Sequence, residues 1–597
     1  MIYPAIPLAQ TILQLLKAHQ LKNIVISPGS RNAPLTIGFS HDDFFNCYSI
    51  VDERSAAFFA LGMAQQNQTP TVLVCSSGSA LLNYYPAISE AFYSDIPLIV
   101  LTADRPPHKI DIGDGQTIRQ ENVFANHILY SANLKLDIPF ELNISGDGKH
   151  QSLPIINSSE VNQNFNEQEI AKAIHTAILE KGPVHINAPF EEPLYQTLEA
   201  PTVSVKEYPT PHPQEIINHD EVDVFIKNWN SAKKKMVLVG VLAPNSLEAN
   251  YVELLAKDPS VLVFTETTSN LHHENFFPGI DKILAPVEKD EEELKALQPD
   301  ILLTFGGLVV SKKIKAFLRT YKPKKHFHVN EKKAYNTFFC LTSHFKLRIN
   351  SFFDLVSNQL QNVESTYQQH WLEIQDNRRT AHEAYLKEIG YSDFLVFNQL
   401  YQQLPEHMQL QISNSSAIRY NQLFEMDVTW EIFCNRGTSG IDGSTSTAVG
   451  ASQISQKPVT LVTGDLSFLY DSNGLWNNYI PKDFTIILVN NGGGGIFRIL
   501  PGDKNTPEFD TFFETIHHKT GEQLAEMFGF EYSNCSDLDR FSKLLAVHYE
   551  SISERTKPVI LEVFTPRLQN DEILLNYFKF LKHKSLEITK SEHWSIR

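Results

Sequence analysis

Short runs of apolar residues alternate along the chain with stretches whose apolar positions recur every three or four residues. In the first 200 residues the apolar runs at 23–27, 46–51, 71–75 and 97–102 predict strands. The periodic stretches between them, at 55–66 and 80–93, predict helices. Continuously apolar strands separated by helices imply parallel βαβ units with both sheet faces covered. Right-handed crossovers then bring all the C-terminal strand ends to one edge. The opening residues, MIYPAIPLAQTILQLLKAHQ, carry apolar positions at helical spacing without a basic leader and predict an amphipathic helix.

A Pro-rich polar stretch at 201–213 reads as a linker. Beyond it the alternation resumes, with strands expected at 236–241, 261–265, 301–305 and 326–329. A long polar helix follows at 367–387, and further strands are expected at 409–413, 459–463 and 485–489. The expected fold is α/β, with three doubly wound parallel-sheet domains at 1–200, 201–365 and 366–597.

Composition narrows the function. Across 597 residues, 51 Lys and Arg stand against 69 Asp and Glu, a net charge of −18. That balance disfavours binding to nucleic acid, which needs cations to displace phosphate counterions. The five cysteines are scattered without a CxxC pair, so neither a disulfide framework nor a zinc site is indicated; they fit buried thiols in a reducing compartment. No segment approaches the roughly 18 apolar residues that span a bilayer. The expectation is a cytoplasmic protein without membrane insertion.

In open parallel sheets, ligands bind beyond the C-terminal strand ends. In the third block one predicted strand ends in Gly464 and Asp465, and the next in Asn490 and Asn491. A helix expected around 473–479 would make these one βαβ unit, with Asp465 and Asn491 at the same sheet edge. Either residue alone reads as a turn residue. Together they offer a carboxylate and an amide oxygen, and the glycines at 492–495 add backbone carbonyls and close approach. Hard oxygen donors of this kind suit Mg²⁺ that also binds diphosphate. In the first block, Ser30 and Arg31 follow the opening strand. Glu53 follows the second, where apolar surroundings would raise its pKa and suit it to proton exchange. The competing reading of Glu53 is a helix N-terminal carboxylate stabilised by the dipole. Arg105, Gln116, Lys312, Lys313, Ser415, Arg419 and Arg436 lie in further loops. Surface cations are commonly just solvated, but their collection near strand ends suggests a substrate with several carboxylates. The histidine pairs at 272–273 and 517–518 lack metal-ligand spacing and read as surface residues.

Taken together these residues resemble the thiamine diphosphate-dependent superfamily, whose metal and diphosphate motif begins Gly-Asp and ends Asn-Asn. The closer resemblance is to the family of 2-succinyl-5-enolpyruvyl-6-hydroxy-3-cyclohexene-1-carboxylate (SEPHCHC) synthases of menaquinone biosynthesis. It is carried by SPGSRNAPL (27–35), DERSAAFFALGMA (52–64), LTADRPP (101–107), GQTIRQ (115–120), NRGTSGIDGSTSTAVG (435–450), GDLSFLYDSNGLW (464–476) and NNGGGGIFRILP (490–501).

The resemblance implies a pyrimidine-binding domain, a central domain and a diphosphate-binding domain, with thiamine diphosphate held between subunits of a homodimer or homotetramer. It implies that Glu53 is catalytic, hydrogen-bonding the aminopyrimidine ring to assist loss of the thiazolium proton. Asp465, Asn491 and the Gly493 carbonyl match the ligands of Mg²⁺ or Mn²⁺. Gly464, Leu466, Ser467, Ile496 and Phe497 match positions around the cofactor. Ser30, Arg31, Arg105, Gln116, Lys312, Lys313, Ser415, Arg419 and Arg436 match the substrate pocket. The implied reaction is decarboxylation of 2-oxoglutarate and 1,4-addition of the resulting carbanion to isochorismate, giving SEPHCHC and CO₂. The chain departs from relatives at Leu466, where glycine is widespread, and at Lys313, where an Arg is common and would add bidentate geometry. The alternatives are an acetolactate-synthase-like carboligase, which usually carries a flavin dinucleotide in its central domain, and a non-catalytic relative. No dinucleotide loop is evident in the central block, and Glu53, Asp465 and Asn491 are all present.

Overall fold

The computed structural model describes residues 2–137, 140–144, 150–154, 159–211, 215–500 and 502–595. Residues 212 and 213 of the expected linker lie outside the described residues. The chain divides into two compact units. One comprises 1–213 with 435–456 and 470–484; the other comprises 214–434, 457–469 and 485–597.

The first unit is built on a six-stranded sheet. Its order is Asn46–Ser49, Asn23–Ile26, Thr71–Cys75, Leu98–Asp104, Val184–Pro189, Tyr130–Asn133, and every pairing is parallel. Numbered by position in the chain, the strands run 2-1-3-4-6-5. All five residues of Thr71–Cys75 and all seven of Leu98–Asp104 are buried, as a sheet covered on both faces requires. The opening helix, Pro7–Ala18, starts with proline in its first turn and buries Leu8, Ile12, Leu15 and Leu16 in the same core as the strands. The stretch at 80–93 is two helices, Ser79–Asn83 and Tyr85–Ser94, rather than the single one expected. Pro86 lies in the first turn of the second, where its missing N–H costs nothing but a continuous helix would lose a bond.

The helix Glu53–Asn67 is capped by Asp52, whose side chain accepts from the Ser55 N–H at 3.1 Å. Its small residues have a packing role. A Cβ on Gly62 would lie 2.1 Å from the Thr447 carbonyl, and one on Gly450 would lie 1.9 Å from the Phe59 carbonyl. The two backbones touch, and this fastens the helix Ser444–Ala451 to the first unit.

The second unit holds two parallel sheets. The five-stranded one runs Val261–Phe264, Lys235–Val239, Ile301–Phe305, Lys325–Val329, Leu341–Phe345. The six-stranded one runs Glu431–Phe433, Gln409–Ile412, Val459–Gly464, Thr485–Asn490, Val559–Phe564, Glu531–Cys535. Its strands again follow the order 2-1-3-4-6-5. The helix Tyr367–Glu388 belongs to both layers: Tyr367 and Trp371 pack with the five-stranded sheet, Ala381 and Tyr385 with the core of the six-stranded one. The fold is therefore α/β, with three doubly wound parallel sheets.

Three of the five cysteines are buried, while Cys47 and Cys340 are half-buried, against the expectation of five buried thiols. Among the described residues no helix is long and apolar enough to cross a membrane.

Candidate active site

In a sheet ordered 2-1-3-4, the chain leaves strand one in one direction and strand three in the other, which opens a crevice between their C-terminal ends. All three sheets have such a switch point. In the five-stranded sheet backbone fills it: Gly240 N–H donates to the Phe305 carbonyl at 2.9 Å and Gly307 N–H to the Val241 carbonyl at 2.8 Å. A Cβ on Gly240 would stand 1.9 Å from the Gly307 carbonyl, so these two loops meet backbone to backbone. Apart from Lys312 and Lys313, the candidate residues lie at or beyond strand ends of the other two sheets.

In the six-stranded sheet of the second unit, Val459–Gly464 and Thr485–Asn490 are neighbours in parallel register. Asp465 and Asn491 therefore emerge side by side. The intervening helix is not at 473–479. It starts at Asp465 itself and runs to Tyr470, and a 3₁₀ turn, Ser472–Leu475, follows it. Asp465 is 4% exposed and accepts three main-chain N–H bonds. Its Oδ1 accepts from Leu466 N–H at 2.7 Å, and its Oδ2 from the N–H groups of Gly492 at 2.9 Å and Gly493 at 3.0 Å. The N–H groups of Gly492 and Gly493 thus hold the carboxylate. His517 Nε2 lies 3.3 Å from the same Oδ2, its side chain only 10% exposed, so it is not the surface residue expected. His272 is half-buried too, and burial lowers its pKa.

Asn491 donates from Nδ2 to Asp393 Oδ2 at 3.0 Å. Its Oδ1 is thereby turned away from Asp393. Burial raises the Asp393 carboxyl to about 6, against hydrogen bonds from Thr565 and Asn491 that favour its charged form. Gly492 and Gly493 have φ of 78° and 156°, and a Cβ on Gly493 would meet the Glu514 carbonyl at 2.7 Å. That carbonyl accepts from Gly494 N–H at 2.6 Å. The Glu514 carboxylate is buried and held by Arg498 through two bonds of 2.5 Å and by Arg567 at 2.7 Å. Ile496 begins a short helix, and Phe497 is exposed beside Phe513. One carboxylate, one amide oxygen and a backbone carbonyl form a hard, weakly charged donor set. Such a set fits Mg²⁺ that keeps phosphate oxygens in its shell. Among the described residues no group of three or more His, Cys, Asp or Glu gathers as a metal site on its own.

Elsewhere in this unit Ser415 has a φ of 68° and caps the helix Ser416–Asn421, which carries the half-buried Arg419. Lys312 and Lys313 open a helix whose approach is fixed by Glu266, which accepts from Val310 and Ser311 N–H at 2.7 Å each. Lys312 is exposed and Lys313 pairs with Glu288 at 2.8 Å. Lys313 and Arg419 both act electrostatically on the half-buried Asp281.

In the first unit, Glu53 is the first residue of its helix and half-buried, at the end where the helix dipole favours a carboxylate. After burial, its charge also raises the Cys75 thiol and the Tyr84 hydroxyl. Ser30 is exposed. Arg31 is 2% exposed; its Nη1 donates to the Phe190 carbonyl and its Nη2 to Glu192 Oε1, both at 3.0 Å. The two terminal nitrogens of Arg31 are therefore divided between a carbonyl and an internal carboxylate. Arg105 lies 3.7 Å from the same Glu192 oxygen and donates to the Gly115 carbonyl at 3.2 Å. Gln116 is exposed with φ of 54°. Beneath the two arginines Asp104 is buried and its carboxyl raised to about 6 by desolvation, with Asn187 and Arg31 opposing. Arg436 is half-buried in a loop that Glu90 anchors, accepting from Gly437 and Thr438 N–H at 2.7 and 2.6 Å.

Comparisons with known proteins bear on these two crevices together. Residues 6–127 match the family model for the thiamine pyrophosphate enzyme N-terminal TPP binding domain, and residues 200–412 match that for the middle domain of thiamine pyrophosphate enzymes. A SEPHCHC synthase of Christiangramia forsetii is 54% identical over 97% of this chain and 100% of its own. The chain belongs to the SEPHCHC synthase family. A Flavobacterium johnsoniae member is likewise 54% identical over 97% of this chain and all of its own, and a Porphyromonas gingivalis member is 34% identical over 97% and 98%. In structure the chain resembles the Rhodococcus jostii RHA1 thiamine diphosphate-dependent 4-hydroxybenzoylformate decarboxylase. The TM-score is 0.66 at 18% identity, covering 94% of this chain and 99% of that one. This likeness speaks for the fold.

Several polar residues of this SEPHCHC synthase family member escaped sequence reasoning: Glu90, Glu192, Asp393, Glu514 and His517. Each is remote in sequence from the residue it serves, by 161 positions for Glu192 and Arg31 and by 98 for Asp393 and Asn491. A lone acid in a helix or loop carries no local signal of such a partner.

Proposed function

We propose that the protein catalyses the thiamine diphosphate- and Mg²⁺-dependent decarboxylation of 2-oxoglutarate and 1,4-addition of the product carbanion to isochorismate, giving SEPHCHC and CO₂. What supports this reading most is the full-length match at 54% identity to SEPHCHC synthases. The placing of Asp465 and Asn491 at the C-terminal ends of neighbouring parallel strands agrees with it. When bound, thiamine diphosphate supplies the nucleophilic carbon and the electron sink for decarboxylation. Asp465, Asn491 and the Gly493 carbonyl hold Mg²⁺ or Mn²⁺, and Gly464, Leu466, Ser467, Ile496 and Phe497 line the cofactor site. Glu53 is the proton-handling residue and hydrogen-bonds the pyrimidine ring. Arg31 and Arg105, with Ser30, Gln116, Lys312, Lys313, Ser415, Arg419 and Arg436, bind the substrate carboxylates; guanidinium groups suit this role because they offer paired donors. The segments 1–200, 201–365 and 366–597 serve as pyrimidine-binding, central and diphosphate-binding domains. A cytoplasmic homodimer or homotetramer is the working form.

The test follows isochorismate consumption by ultraviolet absorbance with 2-oxoglutarate, thiamine diphosphate and Mg²⁺ present. The expected result is consumption that stops when the cofactor is omitted or when pyruvate replaces 2-oxoglutarate. Failure to consume isochorismate by a protein that binds the cofactor would overturn the reading.

A further inference from the structure

We propose that Glu192 is a built-in stand-in for a substrate carboxylate: it occupies the Arg31–Arg105 pair and must be displaced for the substrate to bind. The inference rests on the assignment of those arginines to the substrate. Three observations carry it. First, the burial of the partners is lopsided. The Arg31 and Arg105 side chains are 3% and 17% exposed, whereas that of Glu192 is 60% exposed, so the carboxylate swings into water while the guanidinium groups stay. Second, each arginine has its own main-chain anchor, Phe190 O for Arg31 and Gly115 O for Arg105, so neither needs Glu192 to keep its place. Third, Glu192 satisfies the pair incompletely. One oxygen, Oε1, serves both arginines, and the buried Nε atoms of Arg31 and Arg105 have no hydrogen-bond partner. A free carboxylate entering the pair can offer two oxygens, one to each guanidinium, where Glu192 offers one.

The neighbouring cations bear on where the displaced side chain goes. Glu191 is held by Lys109 at 2.6 Å and lies 3.4 Å from His108, so that position is taken. Lys109 also acts on Glu192 from a distance, and displaced Glu192 therefore stays near positive charge while facing solvent. Binding is an exchange of one carboxylate for another, and its cost is the loss of an ion pair exposed on its carboxylate side.

The test is E192Q, which keeps the size of the side chain and removes the charge. Steady-state kinetics are measured with 2-oxoglutarate and isochorismate varied in turn, alongside the melting temperature of each protein. The expected result is a fall of about two- to fivefold in KM for one of the two dicarboxylates, the fold-change matching an exposed ion pair. Calorimetric titration of the same variant with that dicarboxylate is expected to show tighter binding by the same factor. A KM that is unchanged or raised for both dicarboxylates, in a variant that melts like the wild type, would overturn the proposal and make Glu192 a strut for the arginines. Absence of turnover in the wild-type protein would instead strike the functional assignment itself.

Discussion

The first and last sheets follow the same strand order, 2-1-3-4-6-5, yet carry opposite chemistry at equivalent strand ends. After strand four, one sheet presents Asp104 and Arg105 and the other Asn490 and Asn491. After strand three, one presents Ser76 and the other Asp465. Beyond strand six, Glu192 turns back onto Arg31 in the first sheet, and Thr565 donates to Asp393 in the last. The shared topology supplies two crevices and leaves their charge to a handful of loop residues. The difference lies in how that charge is balanced. In the first sheet guanidinium groups anchored on main-chain carbonyls are paired with an exposed, exchangeable carboxylate. In the last sheet a buried carboxylate, Asp465, is held by fixed main-chain N–H groups that cannot leave. The first arrangement suits a substrate that comes and goes, the second a resident ion.

If that contrast is right, damage on the two sides reads out differently. The largest effect is expected on the first side, from Glu53→Gln. Removing the proton-handling carboxylate is expected to lower kcat by about 10²- to 10⁴-fold. Mg²⁺ and diphosphate binding, measured by calorimetry, are expected to stay near wild type, because the metal and diphosphate ligands lie elsewhere in the sequence. Turnover close to normal would remove Glu53 from its role. On the other side the effect falls on affinity. An ionised Asp393 can only accept, so Asn491 must donate from Nδ2 and point Oδ1 the other way. In Asp393→Asn the amide at 393 can donate as well as accept, and Asn491 is free to turn its own amide around. We expect Mg²⁺ to support cofactor binding about 10- to 100-fold less well, read from tryptophan fluorescence over a Mg²⁺ titration. Unchanged Mg²⁺ dependence would mean that Asp393 does not orient Asn491.

The same contrast marks what could be read from sequence. The strands at 71–75 and 301–305 begin and end where the apolar runs do. The adjacency of Asp465 and Asn491 follows from one right-handed crossover. These depend on local periodicity and on chirality, and both are written in short windows of sequence. The helix expected at 473–479 moved because Asp465 starts a helix directly at its strand end. The acids that orient or neutralise site residues were missed for a different reason. Glu90 reaches its loop across 347 positions, and the ring of His517 is placed beside Asp465 by a loop whose N–H bonds to Gly492 O. Such contacts exist only after the sheets have assembled, and no local pattern encodes them. The repetition of 2-1-3-4-6-5 was likewise invisible, because topology repeats here without a repeated motif.

The smallest expected effect concerns a carboxylate that fastens the 435–456 and 470–484 segments within the first unit. Asp471 is fully buried and accepts from Ser446 N–H at 2.7 Å and from Ser446 Oγ at 2.9 Å. Burial raises its carboxyl from 3.8 to about 6, against the Ser446 bonds and the charge of Arg54. A carboxyl raised in the folded state favours the protonated form there, so its contribution to stability is greatest in acid. That contribution is lost as pH climbs through the interval between 3.8 and about 6. Between pH 5 and pH 7 the loss amounts to about 1 kcal/mol. In Asp471→Asn the side-chain carbonyl still accepts from the Ser446 N–H, and the Ser446 hydroxyl can rotate to accept from the new amide. The variant keeps the fastening and drops the titration. Urea midpoints of both proteins at pH 5 and pH 7 isolate the term, because every other group titrates alike in the two. The variant is expected to gain on the wild type as pH rises. A gap that stays constant between the two pH values would mean that Asp471 is already charged at pH 5.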